Sequence, residues 1–535
     1  MLIESICIVG GGSSGWMSAA LLSKEHPDME ICLIESENVK PIGVGESTLA
    51  HFNRYLKRLD LKDKDWMPAC NATYKAGIAF TNFTEGKGER FDYPFGAFVK
   101  SQNTDNQEEA GEHIMKFFEL QAMYGDKYPS TEFAKFVNRQ TYLVENNIMT
   151  DNIPDTDMET PYHYSIEDDT SYHMNADLFG IYLRDNIAVP NGVHHLIGDV
   201  NNVIKTPDGE ISAITTEDGQ CISADLFIDC TGFRSLLLEQ HMGVKFIPFK
   251  DMLFNDRALA THIDYTDKDT QMNCYTKCTA LGNGWVYNIP MWNNMGTGYV
   301  YSSKYISDDE AEIEFREYLD DQECPLMPIK IKHGKHEKAW VKNVIGIGLS
   351  YGFLEPLEST GLLTTHENLL KFSDLLATRD RHVTNHDRSI YNFSAEKLLE
   401  TMKNFVTLHY TLSLREDTKY WKDATNNVEL LGTPGDYTEA TLHALQDYRL
   451  FIDYLDNKAF DPNLIGDGII YIAAGMGIRP FTETIFNDLA DDERRLDVAE
   501  YHDGYCKSNK SMLEWVDTLP SHYQYLKDTI YVESV

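Results

Sequence analysis

A single lysine stands in the mostly small and apolar stretch CNATYKAGIAF, residues 70–80. Taking an ammonium group out of water costs several kcal/mol unless the charge is paired. One interpretation of Lys75 is therefore a cation held in a pocket for chemistry. The other is a half-exposed strand residue whose head group reaches solvent. The spacing alone leaves both interpretations open.

Carboxylates and hydroxyls gather in YGFLEPLESTGLL, residues 351–363. This stretch follows a predicted strand, and α/β proteins place ligands in loops between a strand end and a helix start. Thr360 and Gly361 would open the next helix, so their N–H groups could hold a small anion. The alternative is an N-capped helix in which Glu355 and Glu358 are solvated.

A nucleotide-binding pattern lies at the N-terminus. The glycines of Gly10-x-Gly12-x-x-Gly15 follow the short apolar strand SICIVG and precede the predicted helix WMSAALLSKEHP. Glu35 ends a second strand, MEICLIE, where its carboxylate can bind ribose hydroxyls. Together these features predict a dinucleotide-binding domain. No second fingerprint for NAD(P)H follows in the sequence.

The next segment, PIGVGESTL (residues 41–49), allows two interpretations. Two glycines, a carboxylate and two hydroxyls can wrap a cofactor through backbone donors. Alternatively, it is an ordinary loop in which Ser47 or Thr48 caps a helix.

The remaining chain supplies the elements that must position these residues. Residues 192–232 predict a β-meander that returns to a buried strand of the parallel sheet, and 251–304 predict a second, aromatic-rich sheet. Residues 338–348 give another buried strand. Helical periodicity is expected around 101–150 and after residue 361.

We therefore expect an α/β fold with a Rossmann-type nucleotide-binding domain, a β-sheet substrate region and a mainly helical C-terminal region. The predicted core is discontinuous, covers residues 1–360 and carries a helical insertion around 101–150. Residues 361–535 are predicted to form the helical region that packs on this core.

Composition excludes several classes of protein. The 535 residues include 47 basic and 84 acidic side chains, a formal net charge of -37. Such a chain repels nucleic acid and anionic membranes, so neither is expected as a partner. The N-terminal MLIESICIVGGG has no basic region typical of a signal peptide. The odd, scattered set of 9 cysteines is typical of reduced thiols, which predicts a cytoplasmic protein. Cys274 and Cys278 are four apart without a second Cys or His pair, so no metal site is expected.

Several unusual strings occur together and in order over residues 3–425, namely GGGSSGW, IGVGEST, ATYKAGI, DLFIDCTGFRSLL, GTGYVYSS and FLEPLESTG. In these strings the chain resembles the flavin-dependent halogenases, the family that includes the tryptophan halogenases. The resemblance implies a flavin monooxygenase-like fold that binds FAD.

The resemblance also implies a reaction. Reduced FAD, delivered by a separate flavin reductase, would react with O2 and a halide ion (chloride, bromide or iodide) held near the N–H groups of Thr360 and Gly361. The resulting hypohalous acid would reach Lys75 and form either a haloamine or a hydrogen-bonded adduct, and both remain open. Glu358 would orient the electrophile or accept the ring proton of a small aromatic substrate.

The family's cofactor and substrate positions fall on further residues. For FAD they are Gly10, Gly12, Ser14, Gly15, Glu35, Val44, Ser47, Val200, Leu349 and Leu362. For the substrate they are Tyr93, Phe95, Trp285 and Tyr287.

Two of these positions depart from the family pattern. Tyr93 replaces a histidine, and Tyr287 replaces the second tryptophan of W-x-W-x-I-P. The C-terminal segment that binds tryptophan's backbone in the family is not found, which favours an indole- or phenol-like substrate over free tryptophan. An FAD-dependent aromatic monooxygenase and a non-catalytic flavin-binding protein are the alternatives, and homo-oligomerisation is left open.

Overall fold

The computed structural model describes residues 1–38, 45–96, 107–153, 164–426, 468–479, 485 and 489–532. The chain divides into two compact units, each assembled from three stretches. The first unit comprises Met1–Ala72, Tyr172–Asp256 and Ile329–Lys403, and the second comprises Thr73–Ser171, Arg257–Pro328 and Asn404–Val535. The predicted domain boundary at residue 360 stays a prediction.

A mostly parallel sheet forms the centre of the first unit. Among the described residues its six strands lie in the order Trp340–Val341, Val344–Gly346, Leu226–Asp229, Ser5–Val9, Glu30–Glu35 and His194–Ile197. Neighbouring strands are parallel except for the first pair. Parallel strands present their carboxyl ends at one edge, so Val9 and Glu35 end at the same edge as Asp229.

The other strands of the first unit form smaller antiparallel sheets. The predicted meander is confirmed as Val200–Lys205, Ile211–Thr216 and Cys221–Ile222. A further sheet consists of Phe246–Pro248, Gly334–His336 and Gly352–Phe353. The short strand Glu46–Ser47 pairs with His173 and Met174.

Helices flank these strands. In the first unit they are Ser13–Glu25, Phe52–Arg58, Asp63–Trp66, Ala176–Leu183 and Thr360–Thr378. Short 3-10 or π-helical turns occur at Pro68–Cys70, Arg184–Ala188, Gly232–Arg234, Leu236–His241, Gly348–Ser350 and Pro356–Glu358. A long helix spans Asn385–Thr411.

The second unit is built on the predicted aromatic-rich sheet. Within this unit its strands lie in the order Arg257–Asp264, Asn294–Tyr301, Gly284–Pro290, Tyr275–Ala280, Gly77–Thr81 and Arg90–Pro94. Neighbours are antiparallel except Tyr275–Ala280 and Gly77–Thr81, which are parallel. The strand Thr73–Lys75 precedes this sheet in the chain.

The helices of the second unit are Gln107–Tyr124, Phe133–Val137, Thr141–Asn146, Ile166–Asp169, Lys268–Gln271, Asp308–Leu319, Lys419–Thr425, Gly468–Gly475, Asp492–Val516 and His522–Thr529. Short 3-10 turns lie at Gly125–Lys127 and Ser130–Glu132. Within the described residues, these helices include parts of the predicted insertion around 101–150 and of the region after residue 361, and residues 101–106 lie outside the described residues. The assignment of both regions as structural parts stays a prediction.

In the part of the chain that the structure describes, no helix is long and apolar enough to cross a bilayer. Over the same ranges, no group of three or more His, Cys, Asp or Glu side chains is arranged to hold a metal ion.

Candidate active site

The glycine loop joins the first strand of the parallel sheet to its helix by close backbone contacts. Gly10 has φ +111°, and a Cβ there would lie 2.3 Å from the Cys230 carbonyl oxygen. A Cβ on Gly15 would lie 1.9 Å from the carbonyl oxygen of Gly10. Both positions therefore require glycine, one for its backbone angle and both for the close approach.

The start of the helix Ser13–Glu25 suits an anionic ligand. Gly12 is its N-cap, and no described side chain caps it. A Cβ on Gly12 would meet no described atom within 4 Å. Free N–H groups and the positive end of the helix dipole favour a phosphate at such a position. These residues fit the pyrophosphate of a dinucleotide.

Glu35 lies across this loop. A Cβ on Gly11 would lie 1.7 Å from Glu35 Oε2, so the carboxylate occupies the space above that glycine. Glu35 Oε1 lies 2.7 Å from His195 Nε2. The His195 ring packs edge-on against Trp16, with ring centroids 4.9 Å apart. His195 therefore fixes the carboxylate that is predicted to meet the ribose.

The other predicted FAD residues of the first unit lie in three places. Ser14 Oγ is 3.4 Å from Thr365 Oγ1 on the helix that also carries Leu362. Ser47 Oγ is 3.0 Å from Ser359 Oγ. Leu349 lies in the turn Gly348–Ser350.

The structure does not support a cofactor role for the last two predicted FAD residues, Val200 and Val44. Val200 packs against the hydrophobic cluster of the sheet and meander that includes Val9, Ile34 and Phe227. This packing gives Val200 a structural role. Val44 lies outside the described residues.

The segment FLEPLESTG forms a buried turn before a long helix. Glu358 is fully buried at the end of the turn Pro356–Glu358. Ser359 follows in the left-handed region with φ +55°, and the helix Thr360–Thr378 begins at the next residue. The alternative prediction that Glu355 and Glu358 are solvated is wrong, because both are 0% exposed.

Side chains from two other segments hold this turn. Asn255 Nδ2 donates to Glu355 Oε2 at 2.7 Å. The backbone N–H of Glu355 donates to His333 Nδ1 at 3.1 Å. Burial lowers the pKa of His333, and a neutral ring is what this acceptor role requires. Thr360 Oγ1 also donates to the Glu355 carbonyl oxygen at 3.2 Å.

A carboxylate lies beside the predicted halide position. A Cβ on Gly361 would lie 2.6 Å from Glu46 Oε1. An anion at the N–H groups of Thr360 and Gly361 would therefore meet the negative charge of the Glu46 carboxylate.

Lys75 is one of the largest fully buried side chains of the second unit, with 0% exposure. The interpretation of Lys75 as a half-exposed strand residue is therefore wrong. Its Nζ lies 4.8 Å from the centroid of the Phe95 ring, a distance at which the ring face attracts a cation. The backbone N–H of Phe95 donates to the carbonyl oxygen of Ala76 at 2.8 Å, which connects Phe95 to the residue after Lys75.

The predicted substrate residues form two aromatic pairs in the second unit. Tyr93 and Phe95 meet edge to face with centroids 5.9 Å apart. Trp285 and Tyr287 lie on the strand Gly284–Pro290 with centroids 6.1 Å apart. Phe95 of the first pair lies 4.8 Å from the Lys75 amine. The second pair lies on the strand whose sequence departs from W-x-W-x-I-P.

Comparison with known proteins identifies the family of this chain. The sequence model of the tryptophan halogenase family matches residues 5–465. The chain belongs to the tryptophan halogenase family.

Individual relatives support the same assignment for this halogenase. It is 30% identical to tryptophan 6-halogenase SttH of Streptomyces toxytricini, over 98% of this chain and 97% of that protein. The VirX1 apo structure is similar with a TM-score of 0.88 and 44% identity, and 100% of both chains is covered. BrvH, a flavin-dependent halogenase from Brevundimonas sp. BAL3, is similar with a TM-score of 0.80 and 28% identity over 98% of this chain and 99% of that one.

These relatives confirm the predicted Rossmann-type α/β fold and the enzyme class. The chain is an oxidoreductase of the flavin-dependent halogenase type, and FAD is the cofactor that the family implies. His195, Asn255 and His333 of this halogenase carry no local sequence signal that marks them as functional. Only the tertiary structure brings these side chains to the two motifs.

Proposed function

We propose that this enzyme uses reduced FAD, O2 and chloride, bromide or iodide to halogenate an electron-rich aromatic substrate of the indole or phenol class. A separate flavin reductase would supply the reduced FAD. The observation that carries the proposal is the fully buried Lys75 amine, 4.8 Å from the centroid of the Phe95 ring.

The first unit would hold the cofactor. The N–H groups that follow Gly12 would bind the pyrophosphate, and the Glu35 carboxylate, held by His195, would accept hydrogen bonds from a ribose. When bound, reduced FAD would supply the two electrons that activate O2, and O2 would supply the oxidising equivalents that convert halide to hypohalous acid.

The start of the helix Thr360–Thr378 would bind the halide. Its 19 residues give a helix dipole whose positive end lies at Thr360 and Gly361. Ser359 directs its hydroxyl toward Ser47 and does not cap the helix. The first N–H groups are therefore suitable donors for a small anion.

Lys75 would handle the oxidised halogen. As an ammonium ion, it donates an N–H hydrogen bond to the oxygen of hypohalous acid and makes the halogen more electrophilic. As a free amine, it exchanges one N–H hydrogen for the halogen, releases water and becomes a haloamine. In either route the aromatic ring gains the halogen and loses a proton, and Glu358 would orient the electrophile or accept that proton.

The substrate would lie against aromatic side chains. Phe95 and Tyr93 form one wall beside the lysine, and Trp285 and Tyr287 are proposed to form another. Relatives are named for tryptophan, so free tryptophan belongs in any substrate panel, although the sequence favours other indoles and phenols. We also propose a reducing, cytoplasmic location, which the nine free cysteine thiols support.

Product analysis tests the proposed function. The purified enzyme is supplied with a flavin reductase, FAD, O2, each halide in turn, and a panel of indoles, phenols and free tryptophan. Mass spectrometry should detect a halogenated product that depends on the added halide. Hydroxylated product without halide dependence would instead establish a monooxygenase, and no product from any substrate would favour a non-catalytic flavin-binding protein.

A further inference from the structure

Two buried amide side chains donate hydrogen bonds to the main chain of the lysine site. Asn138 and Gln140 are 1% and 0% exposed, and both come from the segment between the helices Phe133–Val137 and Thr141–Asn146. Asn138 Oδ1 accepts a hydrogen bond from the backbone N–H of Gln140 at 2.8 Å. The two amides are therefore fixed relative to each other.

Each amide holds one residue of the lysine site by its main chain. Asn138 Nδ2 donates to the carbonyl oxygen of Phe95 at 3.2 Å. Gln140 Nε2 donates to the carbonyl oxygen of Ala76, directly after Lys75, at 3.0 Å. The strand that carries the amine and the residue that carries the aromatic ring are thus tied to a single segment.

A third contact extends this arrangement to the C-terminal region. Asn138 Nδ2 also donates to the hydroxyl of Tyr471 at 3.0 Å. The Tyr471 ring lies 5.6 Å from the Tyr93 ring, and Tyr93 meets Phe95 edge to face. The contacts form a closed circuit from Phe95 through Tyr93, Tyr471 and Asn138 back to Phe95.

The helix that carries Tyr471 packs closely on this circuit. Tyr471 lies in the helix Gly468–Gly475 and is 1% exposed. A Cβ on Gly468 would lie 2.8 Å from the Tyr93 hydroxyl. A larger residue at Gly468 would therefore displace either the helix or Tyr93.

We propose that Asn138, Gln140 and Tyr471 are positioning residues that set the Phe95 and Tyr93 rings relative to the Lys75 amine, and thereby select the ring position that is halogenated. This inference rests on the proposed function. Small displacements of a reacting group have large effects on rate, and a buried circuit of hydrogen bonds and ring contacts limits such displacements. Loss of one contact would allow the substrate more than one orientation against Phe95.

Tyr471→Phe tests the inference, because it removes one hydroxyl and keeps the ring. The matched control is Tyr142→Phe, which removes a buried tyrosine hydroxyl that donates to Asn509 Oδ1 at 2.6 Å in the same unit. The substrate is one that the wild-type enzyme halogenates at two ring positions in unequal amounts. The two product isomers are separated by chromatography. Gln140→Leu, which removes the hydrogen bond to the Ala76 carbonyl oxygen, is measured in parallel and should also change the isomer ratio.

We expect Tyr471→Phe to change the isomer ratio and to lower kcat/KM by about fivefold, the effect of one lost hydrogen bond. Tyr142→Phe should leave the isomer ratio unchanged, even if its melting temperature falls by as much as that of Tyr471→Phe. A wild-type isomer ratio in Tyr471→Phe would overturn the inference while the proposed function stands. A wild-type enzyme that halogenates nothing would overturn both.

Discussion

The Lys75 Nζ atom lies 4.8 Å from the centroid of the Phe95 ring, and both side chains are buried. A desolvated contact of this kind stabilises a cation by about 2 kcal/mol. A neutral amine at the same place would lose most of that attraction but would not carry the desolvation cost of a charge. The ring contact therefore fits the ammonium route of the proposed function directly.

Glu358→Gln tests the proposed carboxylate role. Glutamine keeps the size of the fully buried side chain but removes its charge and basicity. We expect halogenation to fall by about 10²–10⁴-fold, the range for loss of a general base. Product formation is measured at saturating FAD, with exposed Glu337→Gln as the control. Turnover like that of the control would remove Glu358 from the mechanism.

Glu46→Gln should strengthen halide binding. The Glu46 carboxylate lies beside Gly361, and two unit charges 4 Å apart in water repel each other by about 1 kcal/mol. Removing this charge should lower the halide concentration for half-maximal rate by about fivefold. Rates are measured against bromide concentration for the wild type, Glu46→Gln and Glu337→Gln. An unchanged or weaker halide response in Glu46→Gln alone would argue that the halide binds elsewhere.

His195→Ala should weaken FAD binding. Without the 2.7 Å contact to Glu35, the carboxylate loses its fixed orientation over the glycine loop. The FAD dissociation constant, measured by fluorescence titration, should rise by about fivefold, the effect of one lost hydrogen bond. The neighbouring His194 is exposed, so His194→Ala should bind FAD like the wild type. Equal affinity in both variants would mean that His195 does not support the cofactor site.

The local part of the fold and site was predictable from the sequence. Strand, glycines, helix and Glu35 lie within one short unit, where turn geometry and hydrophobic patterns act over a few residues. The contacts of these residues were not predictable in the same way. His195 is 160 positions from Glu35, and Tyr471 is 333 positions from Asn138. No local pattern in the chain relates residues so far apart.

Burial of Lys75 was likewise beyond the local sequence. The pattern around it fits both a buried and a half-exposed strand residue, since lysine can reach solvent along its own stem. Its burial is accompanied by the packing of Phe95, which lies on a separate segment of the chain. The family strings, not the spacing, favoured the catalytic interpretation.

The free energy of unfolding should fall in acid because Glu367, on the helix Thr360–Thr378, loses its stabilising ion pair. Burial alone would raise the pKa of Glu367, but the hydrogen bonds and charges of His366 and Arg54 outweigh it and lower the pKa to about 2. Glu367 therefore contributes stability above its usual pKa of 4.5 and loses it as the pH falls toward about 2.

Urea unfolding of Glu367→Gln checks this contribution. At pH 6 the variant should be less stable than the wild type by about 2 kcal/mol, with allowance for the half-exposed Arg54. The difference in the free energy of unfolding should shrink at pH 3, because the Glu367 carboxylate of the wild type then loses part of its stabilising contribution. Exposed Glu337→Gln serves as the reference. A deficit that is the same at both pH values would contradict the assigned pKa.

The most direct test of the central claim is bromination by Lys75→Met, compared with Lys277→Met, which removes a half-buried lysine of the same unit. Each variant is first shown to bind FAD with wild-type affinity, and brominated product is then quantified by mass spectrometry. We predict that Lys75→Met forms about 10²–10⁴-fold less brominated product than the wild type, whereas Lys277→Met forms the wild-type amount. Wild-type amounts of the same brominated product from Lys75→Met would contradict the account.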